Sequence, residues 1–331
     1  MIIKSNIKQY KVSFINNTKD AILSIYNRGD VIFLDKNVKI SLPPDVKVIG
    51  LDVSEHTKSF ENLPIILDAL PEGFNKKNKL IAIGGGITQD AVSFVSSMLF
   101  RGIKWVFFPT TLLSQGDSCI GGKTSINYKN SKNQLGGFYP PDQIFIDPSF
   151  INTLPSKDIT SGLGEMLHFY LTSSRKDYKY FLDNKNNLEL LIKRCLKIKK
   201  HFIEIDEFDT GERLLLNYGH TFGHAIEGVT NYNIPHGIAV SLGMDIANFI
   251  SWKLGYLSGK DYLDIKKTLK EIYKNYKTPS PIEMIPFLKK DKKNTTTKLT
   301  CVLTKGPGSM FLHQLSYSEV LNLIIEYTNE K

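Results

Sequence analysis

Along the first half of the chain, short apolar runs alternate with stretches whose apolar positions recur every three or four residues. The runs VIFLD (31–35), VIGLD (48–52), LIAIG (80–84), KWVFFP (104–109) and QIFID (143–147) are short, β-branched or aromatic, and bounded by Gly, Pro or Asp. Those features predict buried strands. The intervening stretches 17–28, 59–71 and 89–100 read as helices. Strand, helix, strand repetition predicts a parallel, doubly wound α/β sheet. Past residue 155 helical periods take over, at 159–173, 187–205, 219–229, 236–256, 260–275 and 317–328. TKLTCVLT (297–304) is a short strand-like run there, and 279–298 reads as a loop-rich connection. The expected plan is an α/β domain over 1–155 and an all-α domain over 156–331, divided near Pro155. No internal repeat with a period of roughly 20–50 residues is present.

Composition narrows the classes. A chain of 331 residues, 41% hydrophobic and 23% charged, is ordinary globular material. Cys119, Cys195 and Cys301 are too few and scattered for a disulfide framework, which suits a reducing, cytoplasmic setting. No apolar run approaches the ~20 residues of a membrane span, and MIIKSNIKQYKVSF lacks the apolar centre of a secretory signal. The net charge is +9, from 42 Lys+Arg against 33 Asp+Glu. These basic residues are dispersed, and the densest runs carry no interleaved aromatic platform, which argues against nucleic acid; no membrane partner is expected either, since the apolar runs are short. Many solvated lysines are the plain reading of the excess, and a site for a small polyanion is a third.

Three features carry chemistry. LIAIGGGITQD places Gly84, Gly85 and Gly86 between a strand and a helix. A bare backbone there can approach a pyrophosphate, and the helix start offers N–H groups. A plain tight turn fits equally, because the run is not GxGxxG. Asp35 closes an earlier strand, where a carboxylate either accepts from a ribose diol or caps a helix. The span 109–142 sets Lys123 and the Lys132-Asn133 pair beside two Gly-Gly steps. Ammonium groups next to backbone donors suit phosphate or carboxylate, and long loops in compact domains tend to be functional. The bland reading is a surface loop with solvated lysines.

The histidines give the strongest signal. GHTFGHAIE puts His220 and His224 four apart on one helical face, with Glu227 three further on. His236 opens the next helix in NIPHGIAV, and Glu165 lies in SGLGEMLHFYL with His168 one turn away. A lone histidine on an apolar face is ordinary core. Four of seven histidines together with a carboxylate are better explained by a metal. Two His and one carboxylate with an open position form a catalytic zinc arrangement. HxxxH resembles HExxH, but Thr221 follows His220, so a metalloprotease reading fails.

Taken in order, GGGITQD, RGIKWVFFPTTLL, GDSCIGGKTSIN, KNQLGGFYPP, GLGEM, RLLLNYGHTFGHAIE and HGIAV resemble 3-dehydroquinate synthase and the wider sugar-phosphate cyclases. The resemblance runs from about Asp35 to the Lys292-Lys293 pair. It implies a Rossmann-like NAD domain followed by a helical metal domain, dehydroquinate synthase-like in fold. Carried over residue by residue, the metal ligands are Glu165, His220 and His236, for Zn²⁺ or Co²⁺. NAD positions fall on Asp35, Asn37, Glu55, Lys58, Gly86, Ile87, Thr88, Gln89, Asp90, Thr110, Thr111, Lys132 and Thr153. Substrate and catalytic positions fall on Asp117, Lys123, Asn133, Lys199, Arg213, Asn217 and His224. Lys292 or Lys293 matches a further substrate contact. Arg101 matches an arginine that the family inserts into a neighbouring subunit, which implies a homodimer.

The implied activity is that of a carbon–oxygen lyase on a small, anionic, phosphorylated substrate. In the family that substrate is a seven-carbon 2-keto-3-deoxy acid phosphate. Transient oxidation by NAD acidifies a C–H bond, phosphate leaves, the hydride returns, and an intramolecular aldol step closes the ring. A metal acts there as Lewis acid, and Lys and Arg supply preorganised positive charge. The sequence departs from the family pattern at three positions. The lysine of E-x-x-K is His168, the glycine turn ends in Thr88-Gln89-Asp90, and GGKTG reads GGKTS with Ser125. His168 is shorter than lysine and titrates near neutrality, so it cannot reproduce that lysine's reach and fixed charge. It is either the catalytic candidate in that place, bonded to a substrate hydroxyl, or an imidazole buried in the apolar run MLHFYL away from substrate. Lys199 and Arg213 match the pair that grips a substrate carboxylate, which favours a keto acid over neutral sugar phosphates. The alternatives are a specialised cyclase of this fold, a metal-dependent alcohol dehydrogenase, and a degenerate scaffold. The GGKT and KN segments argue against the dehydrogenase, and retention of Glu165, His220 and His236 against the scaffold.

Overall fold

The structure is a computed structural model and describes residues 1–129, 131–290 and 297–330. It contains two compact units. Met1–Leu154 with Lys199–Phe208 forms the first, and Pro155–Ile198 with the chain from Asp209 onward forms the second.

The first unit is built on β1 (Ile2–Ile3), β2 (Tyr10–Phe14), α1 (Thr18–Ile25), β3 (Val31–Asp35), β4 (Val48–Leu51), α2 (Leu63–Asp68), β5 (Lys79–Gly84), α3 (Gly86–Met98), β6 (Lys104–Pro109), β7 (Lys123–Tyr128), β8 (Ser131–Phe138) and β9 (Gln143–Ile146). Seven strands form one sheet in the order β1-β2-β9-β6-β5-β3-β4, parallel except for β1 against β2. The five expected strands are all in it. Its central strands are continuous apolar runs because helices cover both faces of a parallel sheet. One face buries Ile22, Ile32, Val46, Ile81, Ile83, Val106 and Phe108 in a single cluster. Helix α3 is 13 residues long and starts directly at the carboxyl end of β5, where open α/β sheets bind ligands.

The span 109–142 holds regular structure. Ser114–Ser118 is a π-helical turn, and β7 and β8 pair as an antiparallel hairpin. Strand β2, YKVSF, was absent from the expected set; it buries Tyr10 and Val12 and exposes Lys11. Alternation over so few residues is a weak signal, and its place beside β9 comes from tertiary pairing.

The second unit contains α4 (Ser156–Ser173), α5 (Arg175–Asp183), α6 (Leu188–Ile205, whose end from Lys199 counts with the first unit), α7 (His220–Val229), α8 (His236–Lys253), α9 (Gly259–Tyr273), α10 (Pro281–Lys290), β10 (Lys298–Thr304), β11 (Met310–Ser316) and α11 (Tyr317–Asn329). Helix α8 is its axis, buried without a break from Gly237 to Ser251, and α4, α7 and α9 pack around it. An all-round apolar helix of that length is a core helix. Two features differ from the expected all-helical plan. TKLTCVLT pairs antiparallel with β11, and the segment expected as a loop at 279–298 contains α10. Pro281 suits the start of a helix, and Pro286 inside it is what made the segment read as loop. No helix among the described residues is long and apolar enough to cross a membrane.

Candidate active site

Helix α4 carries Glu165 and His168, α7 carries His220, His224 and Glu227, and α8 opens on His236. Glycine lets α4 and α8 touch backbone to backbone. A Cβ added at Gly164 would lie 2.2 Å from the Gly237 carbonyl oxygen, and one added at Gly237 would lie 1.8 Å from that of Ser161. The Gly237 N–H donates to Ser161 Oγ at 3.0 Å, which fixes the start of α8 beside the middle of α4. His236 therefore stands next to Glu165.

The ligand atoms of Glu165, His220 and His236 all lie within 4.8 Å of one another. His220 Nε2 is 3.4 Å from Glu165 Oε1, and His236 Nε2 is 3.4 Å from Glu165 Oε2. Glu165 is 2% exposed, and its Oε2 accepts no hydrogen bond. A buried carboxylate oxygen in that condition is costly unless a cation meets it. Two imidazoles and a carboxylate are the donor set that Zn²⁺ or Co²⁺ prefers. The residues fit a divalent metal. Burial opposes ionisation of Glu165, but His220, His168 and His236 outweigh it and hold the carboxyl well below its usual range.

His168 is 1% exposed and turned onto its own helix. Its Nδ1 lies 2.5 Å from the Glu165 carbonyl oxygen and 3.5 Å from Glu165 Oε1, and its ring sits 5.0 Å from that of His220. His224 is the contrast, with a ring open to solvent. Partial enclosure by protein, then repulsion from His220 and His236, pushes its pKa down. The imidazole is neutral near pH 7, with one nitrogen that donates and one that accepts.

In the first unit, the glycine turn has a definite shape. A Cβ at Gly84 would strike Thr88 at 2.4 Å and one at Gly85 would strike Thr111 at 2.9 Å, whereas at Gly86 the nearest atom is Ser118 Oγ at 3.9 Å. Space lies over Gly86 at the start of α3, where backbone N–H groups lack helical acceptors. That bare cradle fits the pyrophosphate of a dinucleotide. Gln89 does not fill it. Its amide is 4% exposed, donates to the Ser118 carbonyl at 2.7 Å and accepts from Ser118 Oγ at 2.7 Å. Ile87 and Thr88 share the first turn of α3, and Thr88 is fully buried.

The other expected positions fall into small groups. Asp35 Oδ1 accepts from the N–H of Asn37 at 2.9 Å and from its Nδ2 at 3.0 Å, closing the turn after β3. Lys58 Nζ reaches Asp90 at 2.7 Å and Asn133 Oδ1 at 3.0 Å. Lys132 pairs with Glu55 at 2.8 Å. These contacts tie the β7–β8 hairpin to the 55–58 segment. Thr110 is buried beyond β6, Thr111 Oγ1 bonds Ser114 Oγ at 2.8 Å, and Thr153 is exposed, donating to the Phe150 carbonyl. Lys199, 7% exposed, donates to the Asp117 carbonyl at 2.8 Å and lies 2.7 Å from its carboxylate. Lys123 is exposed at the head of β7. In the second unit, Arg213 is 3% exposed, and Asn217 donates to the Leu214 carbonyl at 2.9 Å. Arg101 is exposed with φ +64°, next to Phe100 at φ +49°. Lys292 and Lys293 lie outside the described residues.

Two partners were not among the expected site residues. Ser118 locks Gln89, and Glu227 Oε2 sits 3.1 Å from His236 Nδ1. The three-residue step from His224 to Glu227 was the available signal for the second.

Residues 48–161 match the family model described as 3-dehydroquinate synthase N-terminal, and residues 162–294 match the one described as 3-dehydroquinate synthase C-terminal. A 3-dehydroquinate synthase of Campylobacter hominis is 36% identical over 285 residues, 83% of this chain and 82% of the relative. One of Pelagibacter ubique is 34% identical over 359 residues, 98% of this chain and 97% of the relative. Among solved structures, a 2-deoxy-scyllo-inosose synthase complexed with carbaglucose-6-phosphate, NAD⁺ and Co²⁺ superposes with a TM-score of 0.87 at 23% identity, over 98% of this chain and 99% of that one.

Proposed function

The chain belongs to the 3-dehydroquinate synthase family, and from that premise we propose that it is a carbon–oxygen lyase of that activity. Its substrate is a 2-keto-3-deoxy acid phosphate, from which it eliminates phosphate before an intramolecular aldol closure. The observation that carries the reading is the glutamate–histidine–histidine cluster, whose carboxylate has an oxygen with no hydrogen bond. Glu165, His220 and His236 would hold the metal, and the turn over Gly86 would hold NAD. When bound, the metal polarises alcohol and carbonyl oxygens, and NAD takes up and returns a hydride.

The chain's own residues do the rest. Lys199 is buried and pinned by Asp117, so its ammonium is oriented before an anion arrives. Arg213 and Lys123 add positive charge suited to a carboxylate and a phosphate. His224, exposed on α7 and held neutral, has one ring nitrogen that donates and one that accepts, which suits it to hold a substrate hydroxyl. We assign the first unit to NAD and the second to the metal. The reading includes a homodimer formed around Arg101, where Met98 (66% exposed) and Phe100 (46% exposed) are bare apolar side chains, and a cytoplasmic location. Sedimentation at micromolar concentration tests the dimer.

Two expected results follow. In Gly86→Val the added Cβ comes no nearer than 3.9 Å to Ser118 Oγ, so the backbone is not forced apart, and the two methyls beyond it fill the cradle. The NAD dissociation constant by calorimetry should rise at least about tenfold, a loss of roughly 1.4 kcal/mol; unchanged affinity would place the dinucleotide elsewhere. His168 occupies the family's lysine position, and His168→Ala should lower kcat by about a hundredfold with metal content retained. An unaltered kcat removes His168 from the reaction.

A further inference from the structure

We infer that Glu227 is a positioning residue of the metal centre, holding the Nδ1 edge of His236 so that Nε2 is presented to the metal. The inference rests on the metal reading above and concerns a residue outside the ligand set.

His236 stands between two carboxylates. Its Nδ1 is 3.1 Å from Glu227 Oε2, and its Nε2 is 3.4 Å from Glu165 Oε2. A neutral imidazole has one N–H and one lone pair, so it donates to one of the two. The Glu227 contact is within hydrogen-bond range, whereas Glu165 Oε2 accepts no hydrogen bond. The proton therefore belongs on Nδ1, and the Nε2 lone pair faces Glu165. A lone pair opposed to a carboxylate oxygen repels it unless a cation lies between them. Glu227 thus selects the tautomer that a metal ligand needs, the outer carboxylate of a carboxylate–histidine–metal chain.

The placement is built into α7. Glu227 is 8% exposed and lies seven residues past His220 on the same helix face. One helix therefore supplies a ligand and also the group that orients the ligand of the next helix. His220 is turned in the same sense by a backbone group, its Nδ1 lying 3.3 Å from the Tyr218 carbonyl oxygen. Both imidazoles direct Nδ1 to a protein acceptor and Nε2 to Glu165. His224 also faces this place, its ring 5.8 Å from that of His236. His224, Glu227 and His236 have ligand atoms within 4.8 Å of one another, so the rival role for Glu227 is direct ligation of a second ion.

The full chain, stripped of metal, is titrated with Co²⁺ alone and with Zn²⁺ against a chromophoric chelator, for the parent, Glu227→Gln and Glu227→Ala. The parent should take one Co²⁺ per chain. Glu227→Ala should bind about 10–100-fold more weakly, with a changed visible Co²⁺ spectrum and an unaltered metal-free unfolding midpoint. Glu227→Gln should recover most of the affinity, because its amide oxygen still accepts from Nδ1–H. Parent-like affinity and spectrum in Glu227→Ala would overturn the inference. So would two Co²⁺ per parent chain with one lost in Glu227→Ala, which makes Glu227 a ligand. Equal losses in both variants, with a lowered metal-free midpoint, would make its role merely structural. A parent chain that takes up no Co²⁺ fails the metal reading itself, a result distinct from these.

Discussion

Alanine at Gly237 should destroy the native packing of the second unit. The added Cβ would lie 1.8 Å from the Ser161 carbonyl oxygen and 2.9 Å from the Glu165 backbone nitrogen. Both are backbone atoms of α4, so no flexible side chain can swing aside. The helices must separate, which breaks the Gly237 to Ser161 hydrogen bond and draws His236 away from Glu165. A cost above about 4 kcal/mol is expected, in the range reserved for gross overpacking. Thermal unfolding of the metal-free protein reads it. Gly137→Ala is the control, since nothing lies within 4 Å of a Cβ there. A Gly237→Ala protein that melts with the parent would show that the contact does not hold the centre together.

His236→Ala should remove the metal and the activity together. The change deletes the imidazole whose Nε2 lies 3.4 Å from Glu165 Oε2, leaving one carboxylate and one histidine of the three groups proposed to hold the metal. A Lewis acid contributes several kcal/mol to such a transition state, so turnover should fall by roughly a thousandfold or more. NAD binding, assigned to the first unit, should be unchanged by calorimetry. Full metal occupancy in the variant would remove His236 from the ligand set.

The sequence made the strands legible where burial on both faces produces uninterrupted apolar runs, as in VIFLD and LIAIG. It made the cluster of Glu165, His220 and His236 legible because ligand-type residues are few, and histidines in apolar helices are conspicuous. What stayed hidden depends on partners far along the chain. Strand β2 is five residues long and is identified by pairing with β9. Helix α10 carries Pro286, which local rules read as a break. The closeness of α4 and α8 rests on Gly164 and Gly237, and a glycine that permits contact looks in sequence like one that permits a turn. Gln89 departs from the family's glycine turn, and only its hydrogen bonds to Ser118 reveal that the amide is turned inward. Asp35 was open between ribose acceptor and cap, and in the structure it closes its own turn through Asn37.

The central claim is that hydride transfer serves elimination, with the cofactor restored at each turnover. The direct measurement incubates the metal-loaded protein with the seven-carbon 2-keto-3-deoxy acid phosphate and catalytic NAD, following inorganic phosphate and NADH absorbance together. Many phosphates released per NAD, no lasting NADH, a cyclic keto acid product, and loss of all turnover on chelation are the predicted result. Lasting NADH formed from a simple alcohol, with no phosphate released from the keto acid phosphate, would contradict it.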